Sequence, residues 1–543
     1  MTALNNPGLP GGFSFDQVLY ASAGVNYSAV PTLQQYHLYD APSPGYVTGR
    51  IDISAFADLG AFVPWPFLNT AVPLNGHLRV PRGRGPFPLA VFAHGNHNPF
   101  ENSTPGYLYL CDLLVSHGIV AATIDVNFLN GSNFGENDGR AIVHLEHLKQ
   151  FRTWNALPGH PLSGKIDLNR ILIVGHSRGG EGVGHASFFN RLAAIQPQAG
   201  SPSVALDGSK GLGPYRFALT AIAAIAPTDR QYEPITGPTV VPDRYFLIHG
   251  SRDGDVSTFE GYNTYNRAHA VDRANPTVSD GKIKSLLWVY RANHNQFNSA
   301  WATETPVATT LPRPEQEQIA KVFLGTLAAA LLLNRKEYLE VLQDHSLAGS
   351  WEPARTVCVS QYQDPERIFI QHNQESLGVP EVSSPVQGNV VLDAVAASRQ
   401  LFDLVHAGYP QQTITLQLTW RTPGATFLLK VDPTTVSAER YRTLSFRVGQ
   451  SVEPANVPDR DQDFTVAVSS GSRTAAVLAS SLHRLVYPDV GFGAAKIVMQ
   501  TLRLPLTRLS ELGVDLADIR SIALIFDRRP AGTIYLGDIQ LSN

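Results

Sequence analysis

The spacing of apolar residues changes near residue 350, and this change limits the folds open to the chain. Upstream, short runs of consecutive apolar residues alternate with helical patterns, which is typical of a mostly parallel sheet covered on both faces. Downstream, apolar and polar residues alternate one by one, as at Leu416, Leu418 and Trp420, which is typical of an antiparallel sandwich. With 543 residues the chain is also too long for one ordinary domain. The sequence therefore predicts an α/β domain followed by an antiparallel β-sandwich.

The same patterns give the predicted elements. The apolar runs that predict strands lie at residues 89–93, 119–126, 171–174, 219–226, 245–248 and 286–290, after two edge strands at 47–53 and 74–80. Helical patterns lie at residues 105–117, 139–152, 179–193, 257–270 and 314–343. We expect an N-terminal segment (1–45) packed on an α/β domain (46–350), followed by the sandwich domain (351–543).

Composition excludes several classes of protein. Only 16% of the residues are charged and the formal net charge is −4, which excludes a disordered or coiled-coil chain and argues against nucleic acid as a partner. The longest apolar run, residues 322–333, is too short to span a bilayer and predicts a buried helix. No secretory signal is legible in the first thirty residues. We expect a cytoplasmic protein, or a secreted one if a signal has been removed.

The sequence offers little to a metal or a cofactor. Cys111 and Cys358 are the only cysteines, so at most one disulfide forms, and their pairing stays open. No CxxC motif or Cys/His cluster is present, and we expect neither a thiolate metal site nor a cofactor. Asp459, Asp461 and Asp463 supply oxygen atoms of the kind that calcium prefers, but a solvated loop is the favoured interpretation of this run.

One motif points to covalent chemistry. Residues 171–180 read ILIVGHSRGG, a buried strand that runs into Gly-x-Ser-x-Gly and then into small residues that open a helix. This pattern predicts a nucleophile elbow, a tight turn that lifts the hydroxyl of Ser177 above the sheet edge. Gly175 and Gly179 are needed because side chains there would collide with the neighbouring strand and helix. A structural glycine-rich turn is the alternative interpretation.

A nucleophilic serine needs an acid and a base. Where a strand of a parallel sheet leads into such an elbow, the acid and then the base follow the serine along the chain. Asp253 comes after the strand at 245–248, and His294 comes after the next strand, so both side chains are expected at the carboxyl edge of the sheet. Asp255 is the second candidate for the acid and Asp229 the third. Ser177, Asp253 and His294 are therefore the predicted catalytic residues.

The predicted oxyanion hole consists of two backbone N–H groups aimed at the developing charge. One belongs to Arg178, directly after the nucleophile, and the other to Asn96, in the loop that follows the strand at 89–93. A plain turn at the end of that strand is the alternative. His94 is expected to pack or hydrogen-bond beneath the site rather than to act as a second base, and His176 is expected to be structural or to line the pocket.

These motifs resemble a known family. The order of elements resembles the α/β-hydrolase fold, and details resemble chlorophyllases and cutinase-like polyester hydrolases of the dienelactone-hydrolase-like branch. The resemblance is carried by SHGIVAATID at 116–125, by KIDLNRILIVGHS at 165–177 and by the elbow HSRGG at 176–180. It implies ester hydrolysis by Ser177, Asp253 and His294, with oxyanion donors at Asn96 and Arg178, on an ester that is either a small molecule or a polymer.

This sequence also departs from that family. Arg178 stands where polyester hydrolases usually carry Met, and Glu181 follows the glycine pair. The segment at 196–215 is longer and richer in glycine than in the family, and we expect it to form a lid or a pocket wall. These departures concern the substrate more than the chemistry.

The second domain leaves its role open. Residues 497–506, 513–526 and 532–541 resemble the closing strands of galactose-binding-like jelly rolls. A structural role is favoured over binding of a glycan or polymer, and Trp420 is predicted to be a core residue because it lies on the apolar phase of its strand. For the whole chain, an amidase or peptidase that uses the same triad and a non-catalytic binding protein on a hydrolase scaffold are the alternatives to an esterase.

Overall fold

A computed structural model describes residues 4–59, 62–131, 137–231, 241–268, 282–302, 304, 309–371, 390–403, 410–434, 436–471, 473–491 and 495–543. The chain forms two compact units. The first comprises Met1–Ala268 and Val289–Val357, and the second comprises His269–Trp288 and Cys358–Asn543. All the predicted site residues belong to the first unit.

The helices and strands have the following bounds. The strands are β1 (Phe15–Ser22), β2 (Val47–Thr48), β3 (Arg50–Ile51), β4 (Val72–Pro73), β5 (Gly76–Pro81), β6 (Phe87–Ala93), β7 (Val120–Ile124), β8 (Ile166–His176), β9 (Ala194–Ile195), β10 (Val204–Ala205), β11 (Leu219–Ile225), β12 (Tyr245–Gly250), β13 (Lys284–Val289), β14 (Cys358–Gln363), β15 (Arg367–Gln371), β16 (Val390–Asp393), β17 (Val395–Asp403), β18 (Pro410–Trp420), β19 (Ala425–Lys430), β20 (Thr443–Gln450), β21 (Thr465–Ser470), β22 (Arg473–Leu478), β23 (Gln500–Pro505), β24 (Ile519–Phe526) and β25 (Gly532–Ser542). The α-helices are α1 (Leu108–Ser116), α2 (Asn137–Ala156), α3 (Arg178–Phe189), α4 (Gly261–Arg267), α5 (Arg313–Leu331), α6 (Leu339–Gln343) and α7 (Leu506–Glu511).

A large, mostly parallel sheet positions the predicted site. In the first unit its strands follow the order β12–β11–β8–β6–β7–β5–β1–β2. The strands from β12 to β7 are parallel, whereas β5 runs antiparallel to both β7 and β1. The carboxyl ends of β6, β8, β11 and β12 therefore meet at one edge, where Ala93 is paired with Gly175 and Ile225 with His176. The prediction of a mostly parallel α/β sheet is confirmed.

Two predicted elements differ from those observed, and one observed strand was not predicted. The helix predicted at 314–343 is wrong as one element, because α5 ends at Leu331 and Asn334 has a left-handed φ of 55° that interrupts the helix before α6. The edge strand predicted at 47–53 is divided into β2, which pairs with β1, and β3, which pairs with β4. The N-terminal segment supplies β1, a strand of the large sheet that the sequence pattern did not indicate.

The second unit contains two antiparallel sheets. One has the strand order β17–β18–β25–β20–β23, with β15 also paired with β25, and the other has the order β16–β19–β24–β21–β22. Strands of both sheets contribute to one buried cluster, in which the rings of Trp420 on β18 and Phe526 on β24 stack with centroids 4.1 Å apart. Trp420 is buried, so its prediction as a core residue is confirmed.

The acidic run of the second unit is bonded to its own surroundings. Asp461 pairs with Arg484 at 2.7 Å. Asp463 accepts hydrogen bonds from the backbone N–H and the hydroxyl of Ser480, at 2.9 and 2.8 Å. These contacts agree with a loop tied to neighbouring residues rather than with three carboxylates that converge on one ion.

None of the helices in the described part of the chain combines the length and the apolar character that a membrane crossing requires.

Candidate active site

Ser177 occupies a strained turn between a strand and a helix. Strand β8 ends at His176, α3 begins at Arg178, and Ser177 between them has φ 56° and ψ −127°. A positive φ is unusual for a residue with a side chain and is found where the surrounding structure enforces it. Here the N–H of Ser177 donates to the carbonyl of Ile225 on β11 (2.9 Å), and its carbonyl accepts from the N–H of Gly180 (2.8 Å). Strand β11 and helix α3 thus both hold the strained backbone of this turn through hydrogen bonds.

Glycines make room for this turn. A Cβ atom on Gly175 would overlap the carbonyl of Gly179, and a Cβ on Gly179 would lie 2.5 Å from the carbonyl oxygen of His94. A Cβ on Gly95 would overlap the Cβ of Ser177. The turn and the loop after β6 therefore approach each other more closely than side chains would allow.

Asp253 and His294 form a buried acid–base pair. Oδ2 of Asp253 lies 2.8 Å from Nδ1 of His294 and 3.1 Å from Nε2 of His249. Oδ1 accepts hydrogen bonds from the backbone N–H groups of Asp255 (3.0 Å) and Val256 (2.7 Å). Both carboxylate oxygens are therefore bonded, and the acid is held in place by its own loop.

The pair shifts both pKa values in favour of its charged form. Burial alone raises the pKa of Asp253, but the positive charge of His294 and the hydrogen bonds from both histidines outweigh it, so this pKa lies well below its usual range. Burial lowers the pKa of His294, and the charge of Asp253 and its hydrogen bond more than reverse this, so this pKa lies above its ordinary value. A carboxylate thus stabilises an imidazolium inside the protein.

The other two candidate acids have different partners. Asp255 is mostly exposed, and its Oδ2 lies 3.4 Å from Nε2 of His294, on the opposite side of the ring from Asp253. Asp229 forms a buried ion pair with Arg267 and accepts a hydrogen bond from Thr264 at 3.1 Å. Of the three carboxylates considered in the sequence, it is Asp253 that the structure brings to Nδ1 of His294.

Ser177 and His294 lie at one site. The ring of His176, next to the serine, lies with its centroid 4.8 Å from that of His294, and Nδ1 of His176 is 2.8 Å from the hydroxyl of Tyr107. Asp255, which approaches Nε2 of His294, lines the same cavity as Ser177. Nε2 of His294 makes no hydrogen bond to any described residue.

The two predicted oxyanion donors line a cavity of about 130 Å³ together with the serine. Arg178 is the first residue of α3, where the backbone N–H groups lack partners within the helix. The side-chain oxygen of Asn96 accepts from the N–H of Gly131 at 2.8 Å, which fixes the loop after β6. The remaining lining residues are mostly polar: Thr228, Gln231, Asp255, Val256, Thr258 and Glu260. Among the described residues, the segment at 196–215 contributes nothing to this lining, which gives no support to its predicted role as a lid or wall.

His94 supports this loop from below. Its Nε2 accepts a hydrogen bond from the N–H of Val126 (3.2 Å), so Nδ1 carries the proton and donates to the carbonyl of Gly95 (2.8 Å). Burial lowers the pKa of His94, and the nearby charge of Arg140 lowers it further. These contacts agree with the prediction that His94 packs or hydrogen-bonds beneath the site rather than acting as a second base, and the contact of His176 with Tyr107 agrees with a structural role for His176.

Two further residues hold the loop that carries His294, and the sequence did not indicate either. Gln316 on α5 accepts from the N–H of Asn293 (3.1 Å) and donates to its carbonyl (2.7 Å). Glu304 accepts hydrogen bonds from the backbone N–H groups of His294 and Asn295. Neither residue belongs to a recognisable motif, because the hydrogen bonds of both are made to the backbone of a loop.

Comparison with models of protein families and with curated proteins gives no match to this sequence.

We expect Gly95→Ala to destabilise the protein by about 1–3 kcal/mol, because its Cβ would overlap Ser177 and one of the two loops would have to move. Gly184→Ala is the matched control, since it lies within α3 and its Cβ would meet only Val241, at 3.5 Å. That variant should be stabilised by about 0.5–1 kcal/mol. Chemical denaturation of both variants measures the difference, and equal effects would contradict the crowding inferred at Ser177.

Proposed function

We propose that this chain is a serine hydrolase of carboxylic esters, built on the α/β-hydrolase fold. The observation that carries the proposal is the buried Asp253–His294 pair beside a serine in a strained turn between strand and helix. Ser177 follows β8, Asp253 follows β12 and His294 follows β13, in the chain order serine, acid, histidine that the α/β-hydrolase fold uses. The segments that resemble chlorophyllases and polyester hydrolases support the same assignment.

The first half of the reaction would form an acyl-enzyme. Nε2 of His294 takes the proton from Oγ of Ser177 as this oxygen attacks the ester carbonyl carbon. The imidazolium is stabilised by Asp253, which hydrogen-bonds its Nδ1. When the tetrahedral intermediate collapses, the carbon–oxygen bond to the alcohol breaks, and His294 returns the proton to the departing oxygen.

The second half would release the acid. Water takes the place of the alcohol, gives a proton to Nε2 of His294 and attacks the acyl carbon. Collapse of this second intermediate breaks the bond to Oγ of Ser177, which recovers the proton. The negative oxygen of both intermediates would accept hydrogen bonds from the N–H groups of Arg178 and Asn96, which line the cavity with the serine.

An ester is favoured over an amide by the resemblance alone, since the same triad cleaves both bonds. The carboxylates of Asp255 and Glu260 line the cavity beside Thr228 and Gln231. This polar lining is compatible with a small polar ester. We therefore place the esterase first and an amidase or peptidase second.

We expect the protein to react with a fluorophosphonate probe and to hydrolyse p-nitrophenyl esters faster than the corresponding anilides. Ser177→Ala should abolish labelling and lower the rate by at least about 10³-fold, because it removes the nucleophile. Ser209→Ala, which alters an exposed serine away from the cavity, serves as the control. A wild type that is neither labelled nor active on esters or anilides would contradict the proposed function and favour a non-catalytic binding protein.

The pH dependence should follow the His294 imidazole. Only its neutral form accepts a proton, so kcat/KM should rise with pH, with a midpoint above about 6.5 because the neighbouring carboxylate raises the pKa of His294. Asp253→Asn removes that charge, so the midpoint should move to lower pH while kcat falls by about 10⁴-fold. Asp432→Asn, an exposed carboxylate of the second unit, should change neither quantity. A midpoint that stays in place in Asp253→Asn would contradict the role given to Asp253.

A further inference from the structure

The Glu304 carboxylate joins the two loops that carry Asp253 and His294. Its Oε1 accepts hydrogen bonds from the backbone N–H of Gly254 (3.0 Å) and from that of His294 (2.9 Å). Its Oε2 accepts from the backbone N–H of Asn295 at 2.6 Å. One side chain is therefore bonded both to the residue that follows the acid and to the base itself.

These hydrogen bonds take the place of an ordinary ion pair. Glu304 is half-buried and, within the described part of the chain, forms no salt bridge with a lysine or arginine. Burial raises the pKa of Glu304 and the charge of Asp253 raises it further, whereas the N–H groups of His294 and Gly254 favour the ionised form. Such a carboxylate adds negative charge near the imidazole and holds the start of the short 3₁₀ helix Asn295–Phe297, in which His294 is the N-cap residue.

We propose that Glu304 is a positioning residue of the triad, which fixes the backbones of the acid loop and the histidine loop relative to each other and stabilises the imidazolium of His294. This inference rests on the proposed function. Three N–H groups on two loops converge on one carboxylate, so a movement of either loop breaks at least one bond. Gln316 holds the residue before His294 from the side of α5, which leaves Glu304 to fix the residues from His294 onward.

The charge of Glu304 acts on His294 together with that of other groups. Burial lowers the pKa of His294, while Asp253, Asp255 and Glu304 raise it, in that order. The titratable side chains that surround the imidazole or its acid are Asp253, Asp255, Glu304, His97, His176 and His249. Of the three carboxylates, Glu304 alone also bonds to the backbone of both loops. Its charge and the length of its side chain can therefore be tested by different substitutions.

The experiment compares three variants of the full chain. Glu304→Gln removes the charge while keeping the length of the side chain, and Glu304→Asp keeps the charge while shortening the reach by one methylene group. Glu317→Gln is the matched control, because Glu317 is also half-buried, lies on α5 and has a pKa raised by burial without touching either loop. For each we measure kcat, KM, the unfolding midpoint and the pKa of His294, the last by NMR of protein with labelled histidine.

We expect Glu304→Gln to lower kcat by about 10- to 100-fold with little change in KM, because misplacement of the base affects the chemical step. The same variant should lower the pKa of His294. Glu304→Asp should lower kcat while leaving that pKa close to the wild-type value, and Glu317→Gln should change neither quantity. A general loss of stability would lower the unfolding midpoint, but it would not lower the pKa of His294 in Glu304→Gln while leaving it unchanged in Glu304→Asp.

Two results would overturn the inference: a Glu304→Gln variant with wild-type kcat and an unchanged His294 pKa, or a Glu317→Gln variant with the same losses. The NMR measurement does not require activity. If the wild type proves inactive but Glu304→Gln still lowers the pKa of His294, the proposed function fails while the coupling between Glu304 and His294 stands. If the wild type is inactive and this pKa does not move, both are wrong.

Discussion

The close approach of backbone to backbone around Ser177 is the constraint on which the rest of the site depends. Between β8 and α3 the serine adopts a conformation that side chains disfavour, and Gly175 and Gly179 leave the space that this turn requires. The loop after β6 comes equally close because Gly95 has no side chain. The turn at Ser177 can form only because these three positions carry no side chain. The packing of β6, β8 and β11 around the turn offsets the free-energy cost of its strained backbone.

The strained turn at Ser177 could be predicted because its motif is local in the sequence, and the meeting of loops at one sheet edge could be predicted from the parallel strands. A buried strand followed by Gly-x-Ser-x-Gly specifies a turn, and the ends of parallel strands meet at one edge wherever the sheet forms. The choice between Asp253 and Asp255 is different in kind. These residues stand two positions apart in one turn, and only the path of that turn decides which carboxylate faces Nδ1 of His294 and which approaches Nε2.

Other features escaped prediction because no pattern of apolar residues marks them. Glu304 and Gln316 act on loop backbones, and nothing in their own neighbourhood marks them. Strand β1 forms because its backbone pairs with β5. Its sequence lacks a clear alternation of apolar and polar residues. In the predicted helix at 314–343, apolar residues continue past Leu331, but the left-handed backbone of Asn334 separates α5 from α6. The spacing of apolar residues indicates which side chains are buried, but it does not indicate where the backbone leaves the helix.

The bonds of Asp253 have a consequence for how protons move. One oxygen is occupied by two amides of its own loop, and the other faces the imidazoles of His249 and His294. These contacts occupy the acceptor positions of the buried carboxylate, and the charge of His294 and the hydrogen bonds keep the pKa of Asp253 well below its usual range. In the reaction proposed, proton exchange would take place at Nε2 of a single imidazole, and the buried anion of Asp253 would serve as its counter-charge.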